Sequence, residues 1–230
     1  MHIITTKDGS DTLYSEQFNE IYHSGNGAIQ ESQHVFIQHG LDYVINSLIE
    51  ADSTGDNLQV KIFEMGFGTG LNALLTMLEA EKRNVKIDYE TIELYPVPVE
   101  TIKALNYTQI LGYEHCYGPY HTMHLMNWNE THTIAPNFTF KKIKGSLIDY
   151  QLSIANYQLI YFDAFAPEQQ PELWTSDIMR KIYSILSPNG ILVSYSSKSA
   201  FQKALKEAGF TVEKIPGPPG KREMVRAHKK

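Results

Sequence analysis

Hydrophobic positions change their period along this chain. Val35, Phe36, Leu41, Val44, Ile45, Leu48 and Ile49 recur at helical spacing and predict an amphipathic helix over roughly 35–50, stopped by Asp52–Asn57. From residue 58 short apolar runs alternate with helical patterns. Val60–Met65, Val85–Glu93, Asn137–Lys144, Tyr157–Phe162, Ile191–Tyr195 and Phe210–Ile215 read as strands. Between them, helices are expected over about 69–82, Pro98–Asn106, 173–186 and Ala200–Ala208, with Ser187–Gly190 closing the third. Strands and helices alternating in this way build a mainly parallel sheet with helices on both faces. Residues 1–34 show little periodicity beyond turns at Thr5–Ser10 and Ser24–Gly27. Residues 113–136 break the rhythm with Tyr113, Tyr117, Tyr120, Trp128 and four histidines, and read as an insertion of loops and short helix. The organisation expected is one domain: an extension over 1–57, then an α/β core over 58–230 carrying that insertion.

The composition narrows the class. A chain that is 42% hydrophobic and 20% charged buries a core and is not a disordered segment. No apolar run reaches the roughly 18 residues of a membrane helix, and no signal peptide opens the chain, so no membrane and a cytoplasmic setting are expected. The single cysteine, Cys116, excludes a disulfide scaffold and a four-cysteine zinc site. His115, His121, His124 and His132 include one H-x-x-H pair without clustered acids, so no metal is expected. The net charge of −6 argues against indiscriminate nucleic-acid binding. It is unevenly spread: residues 198–230 hold nine basic and three acidic residues, +6, a candidate for a local polyanion contact.

Three motifs carry chemistry. Glu64-Met-Gly66-Phe-Gly68-Thr-Gly70 lies between a predicted strand and helix, where glycines allow a tight turn and the helix start offers free amides. The spacing is G-x-G-x-G, with Leu71 where a dinucleotide fingerprint has its third glycine, and no Gly-Lys-Ser/Thr follows. Dinucleotides and P-loop phosphates are therefore disfavoured, and S-adenosylmethionine, which has no phosphate, fits better. Glu93, at the carboxyl end of the next strand, is placed to accept hydrogen bonds from ribose hydroxyls. Asp163-Ala-Phe165-Ala-Pro167 follows a buried-strand run and faces the crevice where such sheets bind ligands. An alkylammonium has no lone pair, so a methyl acceptor amine must be held neutral. Asp163 is suited to accept its hydrogen bond, and Phe165 to wall the pocket or stack on a base. The plainer reading of these segments is a strand–helix turn, a solvated strand-end acid and a capping aspartate.

Four stretches together resemble a known family. They are Phe18-x-x-Ile21-Tyr22 with Gly27–Glu31 and Val35-Phe36; Phe63–Asn72; Tyr161–Pro167 continuing to Gln170-Pro171 and Trp174; and Gly217–Glu223. The chain resembles, from about Tyr14 to Ala227, the methyltransferase domain of the bifunctional tRNA wobble-uridine enzymes MnmC and its free-standing MnmD-like form. The resemblance implies a class I methyltransferase fold: a Rossmann-like, seven-stranded sheet with an antiparallel last strand, Phe210–Ile215 and Glu223–His228 forming the final hairpin. It implies methyl transfer from S-adenosylmethionine to the amine of a 5-aminomethyl uridine, usually 2-thiolated, at the tRNA wobble position. By position it assigns Glu64, Gly66, Gly68, Gly70 and Asn72 to the cofactor loop and Glu93 to the ribose. Asp163 would hold the amine beside the cofactor, and Phe165 would belong to the same catalytic element. Lys221 and Arg222 would lie near the mouth, where they meet tRNA phosphate. The family's Gly-Asp after the third strand is Gly145-Ser146 here, so a serine would meet the adenine edge. The family's Asn-Pro is Gln170-Pro171. The chain ends at Lys230 without the flavin-dependent oxidase domain, so its aminomethyl precursor is expected to be made elsewhere. The rival readings are an aminopropyltransferase or small-amine methyltransferase, a nicotinamide dehydrogenase, and a non-catalytic RNA-binding protein. Oligomeric state is not legible.

Overall fold

A computed structural model describes residues 1–51, 58–152 and 156–230; the helix stop expected at 52–57 lies outside them. The weakly periodic start forms strands: β1 (His2–Thr5), β2 (Asp11–Ser15) and β3 (Glu20–Ile21) make a small antiparallel sheet. Next comes α1 (Ala28–Ser32), which runs through a nine-residue π-helical stretch, Gln33–Leu41, into α2 (Asp42–Ala51). The predicted helix thus starts seven residues early. Ala28 and Ile29 are buried, so its first turn joins the core.

The remaining elements alternate. They are β4 (Gln59–Met65), α3 (Leu71–Arg83), β5 (Lys86–Glu93), α4 (Val99–Lys103), α5 (Tyr107–Ile110), α6 (Tyr117–Leu125), β6 (Thr131–Ala135), β7 (Phe138–Lys144), β8 (Tyr157–Phe162), α7 (Ser176–Ile185), β9 (Leu186–Ser194), α8 (Ser199–Glu207), β10 (Thr211–Pro216) and β11 (Glu223–His228). The large sheet has eight strands in the order β10-β11-β9-β8-β4-β5-β7-β6. Seven are those expected, with β11 antiparallel between β10 and β9. The eighth, β6, comes from the insertion and pairs antiparallel with the edge of β7, its register breaking between Thr133 and Ala135. The insertion is therefore more than loops and short helix. One boundary also moves: Ser187–Gly190 does not precede β9 but forms a bulge inside it, with the register to β8 jumping from Tyr157–Leu186 to Leu159–Ile191.

Two apolar layers hold the sheet. On one face Val60, Ile62, Ile87, Tyr89 and Tyr161 pack against α3 and the Gln33–Leu41 stretch; on the other Phe63, Ile160, Phe162 and Leu192 pack against α7 and α8. Central parallel strands buried on both faces read as near-continuous apolar runs, which is why Leu159–Phe162 was so plain in the sequence. No helix among the described residues is long and apolar enough to cross a membrane.

Candidate active site

β4, β5, β8 and β9 all end on one edge of the sheet, so the segments that follow Met65, Glu93, Phe162 and Ser194 share a crevice. A cavity of about 360 Å³ opens there, covered by residues 18–24 of the small sheet and by Lys221.

The floor is the glycine loop. Gly66 has φ +92°, and a Cβ on it would come within 2.5 Å of the Asp163 carbonyl oxygen, so only glycine lets the ends of β4 and β8 meet. Gly70, at φ +74°, precedes α3; a Cβ there would reach 2.7 Å from His124 Nε2. Gly68 turns toward the Tyr22 ring. The loop is braced from behind by the insertion: Tyr120 Oη donates to the Thr69 carbonyl at 2.7 Å and His124 Nε2 to the same oxygen at 3.1 Å. Burial holds His124 far below the usual imidazole value, at about 3, against the Thr69 bond that raises it, so it is neutral and carries its proton on Nε2. The insertion's other aromatics stay away from the cavity. Tyr113 and Tyr117 are exposed, and Trp128 lies under the Lys142 ammonium.

Glu93 lines the wall. Its Oε2 accepts the Gly68 N–H at 3.0 Å and its Oε1 accepts the Tyr95 N–H at 2.7 Å, so this carboxylate shapes the loop. Burial raises it nonetheless.

Deeper in, two carboxylates share one amide. Asn72 Nδ2 donates to Asp163 Oδ2 at 2.9 Å and to Glu64 Oε1 at 3.1 Å. Glu64 has no exposed surface and stands behind Asn72; its Oε2 makes no hydrogen bond, with the Thr91 and Tyr89 hydroxyls the groups that face it. Burial, with the charge of Asp163, pushes Glu64 up to about 8. Burial likewise raises Asp163 to about 7, against the Asn72 hydrogen bond that lowers it. Groups this close titrate as a pair. Burial raises both, so the pair keeps a proton into the neutral range.

The opposite wall is aromatic. Phe165 stacks on Phe18 at 4.5 Å between ring centres and meets the edge of Tyr22 at 4.9 Å. Its backbone is fixed at both atoms: Gln170 Oε1 accepts its N–H at 3.0 Å and Trp174 Nε1 donates to its carbonyl at 2.9 Å. These bonds account for the Gln-Pro and Trp of the motif. Lys221 closes the ring of groups. Its Nζ bonds Glu31 Oε1 at 2.7 Å and lies 3.9 Å from the centre of the Tyr195 ring.

The fold can be placed among known proteins. Over its full length the chain superposes on MNMC2 from Aquifex aeolicus with a TM-score of 0.77, at 24% identity and covering 70% of that chain. Residues 118–230 match a model described as S-adenosyl-L-methionine-dependent methyltransferase. This is a class I methyltransferase fold. Two curated relatives carry the name tRNA 5-methylaminomethyl-2-thiouridine biosynthesis bifunctional protein MnmC. One, from Nitrosospira multiformis, is 27% identical over 93% of this chain and 34% of its own length. The other, from Legionella pneumophila strain Corby, is 30% identical over 95% and 35%. The chain thus spans about a third of these relatives.

The cofactor of such a methyltransferase is S-adenosylmethionine, and the residues present fit it. Gly66 and Gly68 line the cavity with bare backbone, Glu93 stands where a ribose diol needs an acceptor, and exposed Leu94 and Tyr95 follow it. The cavity gathers Gly66, Gly68, Asn72, Glu93, Asp163, Phe165 and Lys221. Five expected site residues stand outside its lining: Glu64, behind Asn72, and Gly70, at the start of α3, as well as Gly145, Ser146 and Arg222. Gly145 donates its N–H to the Glu93 carbonyl at 3.0 Å and the Ser146 hydroxyl accepts from the Ile148 N–H, both just beyond β7. Arg222 is exposed on the hairpin turn. Phe18, Tyr22, Glu31, Tyr195 and Lys198 line the cavity without having been expected to. Three of these stood in the family stretches, but nothing in their spacing announced a role. The H-x-x-H histidines bond carbonyls instead, His121 that of Tyr117 and His124 that of Thr69. Among the described residues, Glu81, His115 and Cys116 bring ligand atoms within 4.8 Å of one another, beside a second cavity.

Proposed function

We propose that this chain, as one cytoplasmic methyltransferase domain with residues 1–57 as its extension, methylates the amine of 5-aminomethyl uridine, commonly 2-thiolated, at the tRNA wobble position. The observation that carries the reading is Asp163. It is an aspartate raised to about 7 on the floor of the cofactor crevice, with Oδ2 held by Asn72 and an aromatic wall beside it. The likeness to proteins named for 5-methylaminomethyl-2-thiouridine biosynthesis supports the choice of amine.

Bound S-adenosylmethionine supplies an electrophilic methyl on its sulfonium. The chain's residues do the rest. Glu93 accepts hydrogen bonds from the ribose diol, and the glycine loop admits the methionine portion to backbone amides. Asp163 accepts a hydrogen bond from the amine, aims its lone pair, and takes the proton released as the N–C bond forms and the C–S bond breaks. An acceptor near 7 is matched to that transfer at neutral pH. Phe165, Phe18 and Tyr22 stack on the flat base and keep water from the amine. Six of the nine basic residues of 198–230 are engaged inside the protein, Lys198 with Glu168 and Lys214 with Glu223 among them. The exposed pairs Lys198–Glu168 and Lys214–Glu223 contribute little, so these two cations can exchange a carboxylate for a tRNA phosphate.

The test incubates the protein with labelled S-adenosylmethionine and tRNA bearing 5-aminomethyl wobble uridine, then identifies the labelled nucleoside by mass spectrometry. Label in 5-methylaminomethyl uridine is expected. Cofactor binding with no labelled tRNA would move the substrate to a small amine or another RNA.

A further inference from the structure

Lys221 was expected to meet phosphate, and its setting argues otherwise. Its side chain is about one-third exposed and lines the cavity, whereas Arg222 beside it is exposed outside. It is also fixed. Glu31, nearly buried, takes one of its three N–H donors, and is itself held by the Ser24 N–H at 2.7 Å. The Tyr195 face takes a second side of the ammonium. Tyr195 in turn donates its hydroxyl to the Ala164 carbonyl at 2.8 Å, one residue from Asp163. That leaves a third N–H for the cavity, which Lys221 lines together with Asp163 and Phe165.

A donor there matches one atom of the substrate. On a 5-aminomethyl pyrimidine, the ring positions beside the aminomethyl group are C4 and C6, and only C4 carries a polar substituent. In uracil C4 carries a carbonyl oxygen, an acceptor; in cytosine it carries an amino group, a donor. With the amine on Asp163 and the ring against Phe165, one face of the ring turns the C4 substituent toward Lys221, which lines the same cavity. We infer that Lys221, aimed by Glu31 and Tyr195, reads the O4 carbonyl of the target base and makes the site specific for uracil over cytosine. This rests on the proposed substrate class. It makes Lys221 a specificity residue in contact with substrate, and Glu31 a positioning residue. A site built around a hydrogen bond rejects an analogue lacking it far more strongly than shape alone does, because the Lys221 donor would then face the donor amino group of cytosine.

Two anticodon stem-loops that differ only in a wobble 5-aminomethyl uridine or 5-aminomethyl cytidine decide it. Wild type is expected to prefer the uridine by at least ~100-fold in kcat/KM. Lys221→Met should bring the two within about tenfold, mostly by losing the uridine substrate, and Lys221→Arg should restore part of the preference. S-adenosylmethionine binding and the salt dependence of RNA binding should stay as in wild type. Glu31→Gln, which keeps the fold's size and shape, should lower the preference less than Lys221→Met does. If Lys221→Met keeps the full preference, the inference fails. It fails equally if both substrates weaken alike while the salt slope drops by about one unit, the mark of a phosphate contact. A wild type inactive on both stem-loops sinks the substrate reading and this inference with it. Activity with unaltered preference in the variants sinks the inference alone.

Discussion

The two sides of the crevice are built differently. The cofactor side comes from neighbouring parallel strand ends: Gly66–Gly70 after β4, Glu93 after β5, Asp163 after β8. Its groups are fixed by the sheet itself, through bonds such as Gly66 N–H to the Ile92 carbonyl and Asp163 N–H to the Met65 carbonyl. The target side is assembled from remote segments. Phe18 and Tyr22 flank β3 of the small sheet and Glu31 belongs to α1, while Lys221 comes from a hairpin 190 residues after Glu31. One side is scaffold, and the other is contact between loops. The first should tolerate few changes and serve the cofactor. The second should tune what is methylated and leave the cofactor alone.

Asp163 stands where the two sides meet, and its loss has the largest expected effect. Asp163→Ala should lower the transfer rate by about 10²–10⁴-fold while cofactor affinity changes by only a few-fold. Because the ionised carboxylate is the active form, wild-type kcat/KM should fall as pH drops through about 7, and that contribution should vanish in the variant. A variant with near-normal rates would remove Asp163 as amine holder. Gly66→Ala probes the scaffold side. Its Cβ meets the Asp163 carbonyl and its φ is positive, so roughly 1–3 kcal/mol of stability should go, with cofactor binding, as read by thermal melts with and without S-adenosylmethionine. Phe18→Ala probes the covering side: KM for RNA should rise about tenfold with cofactor Kd unchanged, by analogy with the stacking lost per base. Equal losses in both constants would erase the division between the sides.

The smallest effect is a pH slope. Glu64 and Asp163 are raised above their unfolded values, so the folded protein binds more protons than the unfolded chain between about pH 4 and 8. Their contribution to stability is complete below the unfolded values and is lost as pH rises through about 7 and 8. Glu64→Gln should flatten the fall in melting temperature over that window. If it leaves the slope unchanged, the proton is held elsewhere.

The same division sets what the sequence reveals. The scaffold side is written in short range: apolar runs of period two or less, a glycine triplet between strand and helix, an acid ending β5 and another directly after β8. Each of those signals is a local consequence of a sheet buried on both faces, and each landed within a residue or two of the structure. The covering side has no such signature. Phe18 and Tyr22 lie in a segment whose strands are too short to show a period, and Glu31 looks like any helix-start acid until Lys221 is folded against it. Ser187–Gly190 misled for a related reason, since Ser-Pro-Asn-Gly has the composition of a turn whether it ends a helix or loops out of a strand. Gly145 and Ser146 were assigned by likeness alone, and the cavity lining passes them by.

The strand that the insertion adds has a consequence away from catalysis. An open sheet offers unpaired amides along both borders, and any neighbouring chain can extend it there. Here the apolar Phe138 and Phe140 of β7 are not left at the border. β6 covers them with Thr131, His132 and Thr133, and its register break spoils the regular ladder that a further strand would need. At the opposite border β10 presents Thr211, Glu213 and Lys214 and ends on Pro216. Both margins of the sheet are therefore polar, short and irregular, so the protein is guarded against edge-to-edge aggregation at the concentrations a cell or a crystallisation drop imposes.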